Sequence, residues 1–94
     1  YAGSKSAVVA FSKSVAQEVG RHGVTVNCVS PGAIQTPMSA PNQELLEKFA
    51  RRVPLKRLGV PEDVAGIVTF LCSDSASYIT GQVVSVGGGV TMVG

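Results

Sequence analysis

The chain has 94 residues, of which 45% are hydrophobic and 15% charged, with a formal net charge of +2. That apolar share excludes a disordered polymer, and so small a charge excludes a strongly basic nucleic-acid binder. The aromatics are Tyr1, Phe11, Phe49, Phe70 and Tyr78, with none of the basic-aromatic interleaving that stacks bases, so no nucleic acid is expected as a partner.

The metal, disulfide-framework and membrane classes fall away next. His22 is the only histidine and no Cys-x-x-Cys spacing occurs, which leaves too few ligands for zinc. Cys28 and Cys72 lie in apolar runs and read as reduced, buried thiols of a cytoplasmic protein. The longest apolar stretch, 64–72, is far short of the roughly 20 residues that span a bilayer. A chain of this length hides only about 60 to 65% of its unfolded surface, so it is expected to be part of a larger unit.

In chain order, a helix is predicted over 1–20, with Val8, Phe11, Val15 and Val19 as its inward stripe. Gly20 and Gly23 end it. Tyr1 and Lys5 stand one turn apart at its start, which puts their Cβ atoms about 5 to 6 Å apart on one face. A cation at that range favours the phenolate and brings a phenol toward use as a proton donor and acceptor. The same spacing also arises by chance as a surface pair.

The run 24–29 is β-branched and apolar on both faces, as a buried parallel strand is. Ser30, Pro31 and Gly32 break it, opening a loop over 31–42 at the strand's carboxyl end, where open α/β sheets take their ligands. Asn27 and Ser30 read as local hydrogen-bonders at that junction.

An amphipathic helix follows over 43–52 with Leu45, Leu46 and Phe49 inward. Arg51, Arg52, Lys56 and Arg57 form a basic cluster, read as a solvated face. Pro61 begins a helix over 61–73, with Glu62 and Asp63 complementing its dipole. Val64, Ile67, Val68 and Leu71 form one stripe, and Ala65, Phe70 and Cys72 make the helix apolar nearly all round, so it is expected to be buried. Tyr78 reads as a packed aromatic with its hydroxyl at the surface. A last strand is expected over 82–86. Gly87, Gly88 and Gly89 fit no phosphate-loop pattern and read as a turn at a sheet edge.

Four motifs then stand in register: Tyr1-x-x-x-Lys5 opening a helix; Asn27-Cys28-Val29-Ser30-Pro31-Gly32-Ala33-Ile34-Gln35-Thr36; Gly59-Val60-Pro61-Glu62-Asp63-Val64-Ala65; and Tyr78-Ile79-Thr80-Gly81-Gln82. In this order the chain closely resembles the short-chain dehydrogenase/reductase family over its whole length. The resemblance implies an α/β fold, the C-terminal part of a doubly wound Rossmann-type parallel sheet, incomplete as given and forming one segment of a single dinucleotide-binding domain.

The resemblance also implies an NAD- or NADP-dependent oxidoreductase that moves hydride between the cofactor and a secondary alcohol or ketone. Tyr1 is then the catalytic acid/base. Lys5 lowers the tyrosine pKa and holds the nicotinamide ribose. Pro31, Gly32, the main chain of Ile34 and the Thr36 hydroxyl serve the nicotinamide end. Met38 and the loop from Gln35 to Pro41 read from the residues themselves either as the lining of a substrate pocket or as a mobile cover that only excludes water. Substrates open to the enzyme are a 3-oxoacyl thioester, a cyclic alcohol, a sugar or a steroid. A homodimer or homotetramer is expected, and the fragment alone is expected to be inactive. The competing reading is a non-catalytic assembly fragment of the same family.

Overall fold

The computed structural model describes residues 2–32, 34 and 43–89, giving only the backbone at Ala2. In chain order it contains α1 (Ala2–Val19), a 3-10 turn (Gly20–His22), β1 (Cys28–Pro31), α2 (Gln43–Arg52), α3 (Pro61–Leu71), a second 3-10 turn (Asp74–Ala76) and β2 (Val83–Val86). β1 and β2 pair as a two-stranded sheet. Cys28 N–H donates to the Gln82 carbonyl and Gly32 N–H to that of Val86. The partners advance in the same direction on both strands, so the ladder is parallel.

The chain divides into two compact units, residues 1–29 with 68–84 and residues 30–67 with 85–94. In the first, α1 passes into its 3-10 turn and stops at Gly23, whose φ of 74° places it in the left-handed region while its N–H donates to the Gly20 carbonyl. Ala16 and Ala76 are buried there. In the second unit the buried apolar residues are Leu46 and Val53.

The first strand is placed later than expected, at 28–31 rather than 24–29. The reason is chemical. Val26 N–H donates to the Thr80 hydroxyl at 3.0 Å, and Gln82 N–H donates to the Asn27 side-chain oxygen at 3.1 Å. Gly81 N–H donates to the Val26 carbonyl at 2.8 Å, but side chains take the bonds of Val26 N–H and Gln82 N–H beside it, and the regular ladder begins only at Cys28. Asn27 is accordingly a long-range joint and not a local one, for its Nδ2 also donates to the Ile79 carbonyl at 3.0 Å.

α3 ends at Leu71 instead of residue 73, because the Ser73 hydroxyl donates to the Phe70 carbonyl at 2.6 Å and Ser73 N–H donates to the same oxygen. Burial departs further from expectation. On α1, Val15 and Val19 are half-buried, but Val8 is exposed and Phe11 is 71% exposed. α2 buries Leu46 while Leu45 and Phe49 stay exposed. α3 buries none of its residues fully: Val64, Ile67 and Leu71 are half-covered, and Val68 and Phe70 are exposed. Tyr78 projects entirely into solvent. Both cysteines are free thiols, Cys28 half-buried and Cys72 exposed, so the expectation of two buried thiols fails at Cys72. Apolar periodicity marks which face can be covered, and these faces are covered only in part.

Candidate functional site

Within the first unit, Lys5 lies in the opening turn of α1 and its side chain is exposed. Tyr1, Thr36 and Met38 lie outside the described residues. Of the expected site residues, Pro31, Gly32 and Ile34 belong to the second unit, at the carboxyl end of β1.

Pro31 and Gly32 are exposed there. Proline has no N–H, and Gly32 N–H is spent on the Val86 carbonyl at 2.9 Å. The absence of a side chain at Gly32 has a cause inside the fold. A Cβ at that position would fall 2.7 Å from the Gly87 Cα, a backbone atom that cannot swing aside. Bareness of the strand end is therefore demanded by the neighbouring chain, and it leaves exposed main chain where ligands of open α/β sheets bind.

The triple glycine turn packs against the segment after α2. Gly88 and Gly89 have φ of 65° and 98°, and Cβ atoms there would meet Val53 Cγ1 at 2.6 Å and Pro54 at 3.0 Å. Leu55 N–H donates to the Gly88 carbonyl at 3.1 Å. The glycines thus form a turn, as the sequence suggested. Lys56, at φ 62°, is the one described non-glycine residue in the left-handed region. Its Nζ donates to the Arg51 carbonyl at 2.9 Å and so closes the last turn of α2.

Sequence reasoning missed one constellation. Asp63, at the third position of α3, accepts from Arg57 Nη1 at 2.8 Å, from Arg57 Nη2 at 3.1 Å and from Val60 N–H at 2.7 Å. The bond back to Val60 is half of a capping box, since Val60 has no side-chain oxygen to complete it. The Arg57 hydrogen bonds, followed by the Val60 N–H, hold the Asp63 carboxyl down to about 2, and the carboxylate in turn raises the guanidinium. The available signal was an acidic residue two places after a helix-opening proline with an arginine six before it. Arg57 stays exposed together with Arg51, Arg52 and Lys56, so the cluster is a solvated face in which this guanidinium is paired. Gly59, inside this clasped loop, forms an isolated parallel bridge with half-buried Ile34.

Against known proteins, the model of a family described as Enoyl-(Acyl carrier protein) reductase matches residues 1–91. The chain is 46% identical over 91 residues to the 3-oxoacyl-[acyl-carrier-protein] reductase FabG of Aquifex aeolicus, covering 96% of the chain and 37% of that protein. It is 45% identical over 93 residues to the (3R)-3-hydroxyacyl-CoA dehydrogenase of Homo sapiens, covering 98% of the chain and 36% of that protein. The crystal structure of YwfH, an NADPH dependent reductase involved in bacilysin biosynthesis, superposes with a TM-score of 0.84 at 36% identity, covering 94% of the chain and 38% of that structure. The chain spans less than two fifths of the length of each of these relatives. With a matching model over nearly its whole length and an α/β architecture that follows part of a reductase fold, the chain belongs to the short-chain dehydrogenase/reductase family.

Proposed function

We propose that this chain supplies the proton-transfer and nicotinamide-side segment of an oxidoreductase that interconverts a 3-oxoacyl thioester and its 3-hydroxy form with NAD or NADP. One observation carries the substrate class. Relatives named for an acyl-carrier-protein thioester and for a coenzyme A thioester match almost the whole chain at nearly equal identity. What the two names share is the oxygen at the acyl 3-position.

Tyr1 gives its hydroxyl proton to the substrate oxygen in reduction and takes it back in oxidation. Lys5 brings a cation to that phenol, which favours the phenolate, and holds the nicotinamide ribose hydroxyls. Pro31, Gly32 and the main chain of Ile34, with the Thr36 hydroxyl, hold the carboxamide end, while Met38 lines the pocket. The bound dinucleotide supplies or accepts the hydride. Proton and hydride together convert the ketone to the alcohol, so the exchange balances without a further reactant.

The test is turnover by the complete gene product with NADH and NADPH over a 3-oxoacyl thioester, a cyclic ketone and a sugar, repeated with Tyr1→Phe. We expect the thioester to be preferred and the variant to lose about 10² to 10⁴ in kcat. Unchanged turnover by Tyr1→Phe refutes the role of Tyr1, and preference for another ketone refutes the substrate class.

Exposed Val8 and Phe11 on α1 favour a second reading, in which this segment serves assembly of a homodimer or homotetramer. Sedimentation of Phe11→Ser tests it, and an unaltered mass with full activity sinks it.

A further inference from the structure

The Ile34–Gly59 bridge is isolated. A regular ladder keeps its register through neighbouring rungs, and a single bridge does not have them. Its register must be set by whatever fixes the chain on either side. On the Gly59 side the fixing is done by one carboxylate. Asp63 Oδ2 accepts from Val60 N–H at 2.7 Å, immediately after Gly59, and Asp63 N–H returns a bond to the Val60 carbonyl at 2.9 Å. Asp63 also grips both terminal nitrogens of Arg57, at 2.8 and 3.1 Å, and Arg57 Nη1 donates to the Leu58 carbonyl at 3.2 Å, immediately before Gly59. Gly59 has no side chain of its own to pack, so it is held from both flanks by this clasp. A two-pronged arginine–carboxylate pair is directional in a way that a lone surface ion pair is not.

The geometry points to Asp63 as a positioning residue for the nicotinamide end of the dinucleotide, acting on Ile34 through Gly59; this rests on the function proposed above. Asp63 touches neither cofactor nor substrate in this role. Its part is to hold the loop whose bridge sets the Ile34 main chain, so its loss weakens cofactor binding and leaves the proton-transfer group as it was.

The experiment compares Asp63→Ala, Asp63→Asn and Arg57→Ala in the complete protein. Amide exchange is followed in peptides covering 57–60 and in the one containing Ile34. Binding of NADPH and of NADH is titrated by fluorescence, and kcat and KM for the preferred dinucleotide are separated. Asp63→Ala should raise exchange in both peptides and weaken binding of the preferred dinucleotide about five- to ten-fold, with kcat within about two-fold. Asp63→Asn keeps an acceptor for Val60 N–H and should fall between wild type and alanine. If Asp63→Ala does not fold, Asp63→Asn and Arg57→Ala carry the same readouts.

Exchange at Ile34 that stays at the wild-type rate while 57–60 opens overturns the coupling. Dinucleotide affinity unchanged in every variant overturns the positioning role alone. Wild-type protein that binds neither dinucleotide refutes the proposed function, and this inference with it.

Discussion

In the unit formed by residues 1–29 and 68–84, side chains reinforce the joint: beside the main-chain bonds from Cys28 N–H to the Gln82 carbonyl and from Gly81 N–H to the Val26 carbonyl, the Asn27 amide spans the Ile79 carbonyl and Gln82 N–H, and the Thr80 hydroxyl accepts from Val26 N–H. In the unit formed by 30–67 and 85–94, bare glycine backbone is packed closely, with Gly32 against the Gly87 backbone, Gly88 against the Val53 side chain and Leu55 N–H on the Gly88 carbonyl. Hydrogen bonds through side chains tolerate small displacements and lose energy one bond at a time. Backbone packed at van der Waals range tolerates no added atom. The second unit should therefore be brittle to added volume and the first sensitive to lost polar groups.

The sharpest way to break this contrast is Gly32→Ala in the complete protein. Its methyl has to displace the Gly87 backbone, so we expect a loss of about 3 kcal/mol in urea unfolding. Gly87→Ala is the control, since a Cβ there lies 3.7 Å from the Gly32 Cα, an ordinary separation, and should cost under about 1 kcal/mol. Equal losses from the two would remove the steric basis of the comparison.

In the first unit, Asn27→Ala leaves Ile79 and Gln82 without their partners. We expect about 2 kcal/mol lost, near 1 kcal/mol for each bond. Thr80→Val removes one acceptor of similar shape and should cost about 1 kcal/mol. A loss from Asn27→Ala no larger than that from Thr80→Val would show that one of its two bonds carries no weight.

The smallest effect concerns acid. Asp63 has its folded-state value lowered to about 2, against about 3.9 for an unperturbed aspartate. A depressed carboxyl stabilises fully above the unfolded-chain value, and its contribution is lost as pH falls from there through about 2. The urea midpoint should therefore decline over that window, and Asp63→Asn should flatten the decline. An identical acid limb in the variant would assign the decline to other carboxyls.

Periodicity and punctuation made much of the fold legible. The amphipathic run 43–52 and the helix opening at Pro61 stand where α2 and α3 begin, because an apolar stripe and a helix-starting proline are local signals. What remained hidden depends on residues far apart in the chain. Nothing local to Asn27 says that its amide reaches Ile79 and Gln82, and the late start of β1 follows from the side-chain bonds to Val26 N–H and Gln82 N–H. Exposure of Phe11, Phe49 and Phe70 was equally hidden, since a stripe gives the side of a helix and not what lies over it. At the site, Pro31-Gly32 was legible as a break at a strand end. That Gly32 answers to Gly87 was not, because the two are distant in sequence.

The unequal clearance at the Gly32–Gly87 crossing also acts as a filter on drift. Two glycines that meet in space look interchangeable when read as letters far apart in the chain, yet only one of them closes its position to every larger amino acid. Lineages descending from this chain should be free to acquire substituents at residue 87 while residue 32 stays frozen, so the pair would record in its variation which backbone yields and which does not.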